Sequence, residues 1–201
     1  MRVPFRWVVV GIFVLSSTLN YLDRQVLAAL APVLKGEFQL SNAEYGQVLA
    51  AFSITYALCS PAAGLLIDRF GLNKGISAGV ALWSLAGIAT GFVNGLWGLL
   101  SCRALLGAAE SSGIPASGKA FHQYLLPRER ALGPAVNQIG LSVGSILAPP
   151  LATWLALSHG WRWAFVGTGL LGFLWIPLWL WVARLGRNAG PKTSGPAINV
   201  I

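Results

Sequence analysis

Six residues, Asn20-Tyr21-Leu22-Asp23-Arg24-Gln25, interrupt a run that is otherwise apolar from Trp7 to Leu34. As a helix that run reaches about 40 Å at 1.5 Å per residue, against roughly 30 Å for a bilayer's hydrocarbon core. Counted from the Lys35 end, Asp23 lies about 15 Å deep, close to the midplane. A charge there costs about 2.5–3.5 kcal/mol to insert. An acid, a base and two amides kept at that depth mark a functional site; the plainer alternative is an ion pair that only locks helices together. Arg103 and Glu110 form a second buried pair inside the run Leu96–Ser117. Seven residues apart, they share one helix face about 10 Å apart along the axis. Counted from Leu96 they sit roughly 10 and 20 Å deep, so Asp23 and Arg24 fall between them.

If the first and fourth runs are neighbours, two acids and two bases meet near the midplane with no net charge. Successive helical residues point about 100° apart, so Asp23 and Arg24 cannot face one partner. We pair Asp23 with Arg103 and aim Arg24 into a cavity toward Glu110. One more carboxylate entering such a neutral, low-dielectric quartet leaves a costly net charge. Protonating Glu110 or Asp23 restores neutrality and frees an arginine, whose planar fork grips a carboxylate and stays charged. The quartet is therefore suited to coupling a proton to an anion, with Asp23, Arg103 and Glu110 as the coupling groups. Tyr56 in the second run carries a hydroxyl that needs a polar partner at depth. Asn137 and Gln138 in the fifth run offer amides suited to sugar hydroxyls, or to gluing helices together.

These residues must be held by membrane helices. The chain has 201 residues, 55% hydrophobic and only 10% charged, where a soluble chain carries roughly 25% charged residues. Six apolar runs are expected as helices, at about 7–34, 45–66, 75–93, 96–117, 132–157 and 163–183. Residues 1–186 make one transmembrane bundle, and 187–201 read as a polar, linker-like tail. With a cytoplasmic N-terminus, the inner segments hold Arg2, Arg6, Arg69, Lys74, Lys119, Arg128, Arg130, Arg184, Arg187 and Lys192. The outer segments hold Lys35 and Arg162 alone. That asymmetry puts both termini in the cytoplasm. Tryptophans 7, 97, 161 and 163 fall at the expected interfaces, and Pro149-Pro150 is expected to kink the fifth run.

The formal charge of +8 does not indicate nucleic acid, because the bases lie in short loops without interleaved aromatics. Cys59 and Cys102 fall inside apolar runs with no metal or disulfide spacing, and no cofactor is expected. The chain carries no HExxH and no paired-aspartate motif. His122 and His159 sit near helix ends with no nucleophile facing them at depth. An enzyme is not expected. Small residues four apart, at Gly75/Gly79, Gly87/Gly91, Gly91/Gly95 and Gly140/Gly144, allow close helix approach.

Gly64-Leu65-Leu66-Ile67-Asp68-Arg69-Phe70-Gly71-Leu72-Asn73-Lys74-Gly75 joins the second and third runs. It resembles the signature cytoplasmic loop of the major facilitator superfamily, although a full match carries two bases after Gly71. Asp68 there is placed to interact with a neighbouring helix end and the loop bases, as a latch in one conformational state. Five further stretches, Asn20–Arg24, Arg103–Glu110 with Ile114-Pro115-Ala116, Pro127–Ala131, Ala148-Pro149-Pro150 and Gly160–Phe165, resemble the anion:cation symporter family. The likeness is strongest to its bacterial hexuronate transporter branch and covers residues 7 to about 185.

The resemblance implies an all-α membrane protein, the six-helix N-terminal half of a major facilitator fold in the bacterial inner membrane. It implies proton-coupled symport of a small organic anion such as a hexuronate, by alternating access against a second six-helix half. It assigns Asp23, Arg24, Arg103 and Glu110 to coupling, and Tyr21, Arg24 and Tyr56 to the substrate site. Gly64, Asp68, Arg69, Gly71 and Lys74 form the conformational loop. Two alternatives stay open: sodium-coupled or uncoupled anion movement, and a truncated or split half with no transport of its own.

Overall fold

The computed structural model describes residues 4–189. Of the expected tail at 187–201, only the backbone through Ala189 is described, and it continues the last helix; Arg2 and Lys192 lie outside the described residues. Secondary structure among those residues is entirely helical. The helices are α1 (Phe5–Ala29), α2 (Ala31–Glu37), α3 (Asn42–Phe70), α4 (Leu72–Thr90), α5 (Leu96–Glu110), α6 (Gly113–Tyr124), α7 (Leu132–His159) and α8 (Trp161–Ala189), with a 3-10 turn at Pro127–Glu129 before α7.

Two of the six expected runs prove to be two helices in series. The first breaks at Leu30 because Pro32 has no N–H for the Ala28 carbonyl, and its ring crowds that oxygen. Pro32 instead starts α2, where a missing donor costs nothing. The fourth slackens at Ser111-Ser112, one residue beyond Glu110. Pro115 removes the hydrogen bond that the Ser111 carbonyl would accept. The Ser111 and Ser112 hydroxyls donate back to the Ala108 and Ala109 carbonyls at 2.7 and 2.8 Å, satisfying the freed chain locally. Four stretches, Phe5–Ala29, Asn42–Phe70, Pro127–His159 and Trp161–Gly186, are long and apolar enough to cross a membrane.

α3 starts on a capping box: the Glu44 amide donates to the Ser41 hydroxyl at 3.2 Å, and the Ser41 amide donates to the Glu44 carboxylate at 2.8 Å. It ends at Gly71, whose φ of 84° and ψ of 156° belong to a region open essentially to glycine alone. Pro149 and Pro150 lie inside α7, and the helix continues past them to His159.

α1 packs along α7 and also meets α8 and α6; α3 lies along α5, and α4 fits between α5 and α8. Glycines set these distances. A methyl at Gly140 or Gly144 would collide with the Val14 or Thr18 carbonyl of α1, and one at Gly107 with the Phe52 carbonyl of α3. Gly79 seats Ser112 and Gly91 seats the Arg162 carbonyl, whereas Gly95 faces open space. Trp175 of α8 donates to the Ile12 carbonyl at 2.8 Å, tying the last helix to the first.

The interior holds two apolar clusters. One gathers Val9, Phe13, Trp83, Phe121, Trp175 and Trp179; the other gathers Leu22, Val26, Leu34, Leu99 and Phe165. α1 passes from the first to the second between Leu19 and Leu22. The polar stretch Asn20–Arg24 falls at that junction.

Candidate functional site

α1 delivers Asp23 and Arg24 to different surroundings, as their 100° offset requires. Arg24 reaches α5, with Nε 2.6 Å from Glu110 Oε2. The Glu110 side chain is fully buried, and the Arg24 side chain is 24% exposed. Three rings enclose the Arg24 guanidinium, with centroids at 5.2 Å for Tyr21 and 4.8 Å for both Phe52 and Tyr56. Such contacts are worth about 0.5–2 kcal/mol each as water is excluded. Phe52 and Tyr56 stack one helical turn apart on α3, 5.8 Å between centroids. Asn20 lies beside the Glu110 carboxylate, and Glu110 Oε1 has no hydrogen-bond partner among the described residues.

The expected pairing of Asp23 with Arg103 is not formed. Ion pairs among the described residues join Arg6 to Glu129, Arg24 to Glu110, Lys119 to Asp68 and Arg162 to Glu37. Asp23 is 4% exposed, and neither of its oxygens has a hydrogen-bond partner among the described residues. Its polar neighbours are Thr168 of α8, Glu110 and Arg103. Arg103 is 3% exposed, its Nε is likewise unpartnered, and its guanidinium lies over Phe165 at 5.8 Å. Both side chains are engaged by α8 instead: Thr168 lies beside Asp23, and the Phe165 ring lies under the Arg103 guanidinium.

Two cavities meet at Arg24. One of about 110 Å³ is lined by Ser16, Ser17, Asn20, Tyr21, Tyr56, Glu110 and Asn137. The other, of about 150 Å³, is lined by Leu27, Leu49, Phe52, Ser53 and Arg103. Arg24 lines both. Asn137 Oδ1 accepts from the Ser17 hydroxyl at 2.9 Å. Gln138, grouped with Asn137 on sequence, is exposed and lines neither cavity, because the next helical residue points away. Phe52, Ser16, Ser17 and Thr168 escaped the sequence reading. Phe52 was findable from its four-residue spacing to Tyr56, and the serines from their place one turn before Asn20. Thr168, on α8, had no such signal.

Of the residues expected as a conformational loop, Gly64, Asp68 and Arg69 belong to α3 and Lys74 to α4, with Gly71 alone between the helices, and they sit apart from this cluster. Asp68 pairs with Lys119 of α6 at 2.6 Å, and Lys119 also donates to the Ile67 carbonyl at 3.3 Å. The partner is thus a helix residue rather than a loop base. Arg69 stacks on Phe70 at 5.8 Å, Lys74 is exposed, and Gly64 faces Pro115 of α6. Nearer the N-terminus, Arg6 meets Glu129 through two contacts, Nε–Oε2 at 2.8 Å and Nη2–Oε1 at 3.0 Å. Arg162, at the other end, donates to Asn94 at 3.2 Å and lies 4.4 Å from the Trp161 centroid. His122 and His159 are exposed; among the described residues no group of histidine, cysteine and carboxylate side chains could hold a metal.

A helical bundle that turns apolar side chains outward and gathers its charges around small internal cavities is a multi-pass membrane protein. The sequence profile of the Major Facilitator Superfamily matches residues 13–198, and the chain belongs to that superfamily. It is 35% identical over 176 residues to a galacturonate transporter of Dickeya chrysanthemi, covering 88% of this chain and 51% of the relative. It is also 35% identical over 175 residues to the hexuronate transporter of Escherichia coli K12, covering 87% of this chain and 40% of the relative. Among solved structures it is similar to a bacterial homologue of the human lysosomal transporter Spinster, inward-facing and occupied. That match has a TM-score of 0.80 at 26% identity, over 92% of this chain and 45% of the other. The chain therefore spans about half the length, or less, of the relatives it matches.

Proposed function

We propose that this chain is the first six-helix half of a symporter that carries a sugar acid, such as a hexuronate, together with a proton. The six crossings are α1 with α2, α3, α4, α5 with α6, α7 and α8, in the bacterial inner membrane with both termini cytoplasmic. The basic residues of the loops support that orientation. The reading rests above all on the Arg24–Glu110 pair, buried within three aromatic rings at the meeting of two cavities. The sugar-acid class is drawn from the galacturonate and hexuronate transporters named above.

Arg24 is the group that takes the substrate carboxylate, and Glu110 is its partner until substrate arrives. Two bases and two acids cancel, so an incoming anion adds uncompensated charge in a dry interior. A proton on Glu110 removes that excess and releases the guanidinium fork to the anion. Asp23 beside Arg103 supplies a second protonatable carboxylate in the same band. Tyr21, Tyr56 and Asn137 offer donors to the sugar's hydroxyls. Asp68 with Lys119, and Arg6 with Glu129, clasp helix ends on the cytoplasmic side, and their opening accompanies rocking against a second half.

Transport is tested by reconstituting the chain together with a second six-helix block in vesicles bearing an imposed proton gradient. Accumulation of galacturonate or glucuronate is expected to collapse with an uncoupler. In the Glu110→Gln variant, exchange of external for internal substrate persists while gradient-driven accumulation is lost. Accumulation that survives the uncoupler, or that follows a sodium gradient instead, overturns proton coupling.

A further inference from the structure

Two cavities away from the buried charges share a wall. One, of about 330 Å³, is a cleft among α3, α4 and α5, floored by the small residues Gly75, Ala78 and Ala108. Its rim carries Leu66, Phe70 and Leu82, which are 53%, 57% and 48% exposed. The other, of about 530 Å³, lies at the α3–α4 turn and is lined by Lys74, Lys119, Gln123 and Arg184. Phe70 and Lys74 belong to both. The surroundings thus change from hydrocarbon to base within one side chain.

Charge in the polar cavity is unbalanced. Lys119 is neutralised by Asp68, while Lys74 and Arg184 take part in none of the ion pairs among the described residues. Two free bases therefore sit beside an apolar cleft on the outside of a membrane helix bundle. We propose that the two cavities together form a binding site for an anionic phospholipid of the leaflet nearest the α3–α4 turn. One acyl chain fills the cleft over Gly75 and Ala78, and the phosphate is held by Lys74 and Arg184. A free inorganic anion leaves the cleft unused, and a zwitterionic lipid leaves the bases uncompensated; only a diacyl anion satisfies both halves. Basic pockets between membrane helices are suited to anionic head groups in this way. The site depends on the chain's place in a membrane and not on what it transports.

Native mass spectrometry of the purified chain in detergent micelles tests this, with phosphatidylglycerol, phosphatidylcholine of the same acyl chains and inorganic phosphate as separate titrants. Phosphatidylglycerol is expected to bind about 30-fold more tightly than phosphatidylcholine, the worth of two surface bases. The Lys74→Gln/Arg184→Gln variant is expected to lose that preference. Ala78→Phe, which fills the cleft and leaves both bases, is expected to weaken both lipids alike. Circular dichroism checks that each variant keeps its helicity. Equal binding of the two lipids, binding untouched by either variant, or phosphate binding as tightly as phosphatidylglycerol overturns the proposal.

Discussion

At the scale of single residues, the chemistry is concentrated on Arg24. Among the described residues it is the one side chain that touches both cavities, three rings and a carboxylate. Removing one member of a buried pair leaves the other uncompensated and costs about 3–5 kcal/mol, whereas removing both costs far less. Arg24→Gln is therefore expected to lower stability to detergent-phase denaturation by that amount, and Arg24→Gln/Glu110→Gln to recover most of the loss. A second expectation concerns function. Arg24→Lys keeps the charge but loses the planar fork and its stacking. Substrate binding in vesicles carrying both halves should weaken tenfold or more (about 1.4 kcal/mol). By contrast, the Asp68 side chain is 71% exposed, so losing its pair through Lys119→Gln should cost no more than about 1 kcal/mol.

At the scale of elements, glycines and prolines decide where the charges meet. Gly140 and Gly144 bring α7 against the α1 carbonyls of Val14 and Thr18, which fixes the segment leading into Asn20–Arg24. Gly144→Val should be the most damaging of the small-residue changes, since backbone on both sides would have to move. Its check is the loss of a monodisperse species on size exclusion in mild detergent. Gly71→Ala should cost about 1–3 kcal/mol through its glycine-only backbone conformation, read from the same denaturation curves. The repeating four-residue spacing on the sequence marked Gly140/Gly144 and Gly91/Gly95 equally. Only packing separates them, because Gly140, Gly144 and Gly91 are covered and Gly95 is not.

At the scale of the whole molecule, the charged band lies between two apolar clusters, with the ion pairs of Arg6 and Asp68 and the Arg162 contacts away from it. Under the half-carrier reading, the chain alone should bind a sugar acid weakly and accumulate none. Pairing with a second six-helix block should restore uptake, as measured in matched vesicles. Uptake by the chain alone would remove the need for that block.

Hydropathy and short motifs made the helical membrane class and the family legible without coordinates, and they singled out Asp23, Arg103 and Glu110, which the structure buries. Those properties are local, since the cost of burying a charge and the length of an apolar run do not depend on which helix lies next door. Partnership is different. Arg24 meets Glu110, as the offset between successive helical residues suggests, but Asp23, paired with Arg103 on sequence, ends near Thr168 of a helix far along the chain. The Phe52 ring over Arg24 and the Lys119 partner of Asp68 are likewise consequences of how backbones approach. Those approaches are set by residues distant in sequence, so they exist only once the helices have packed.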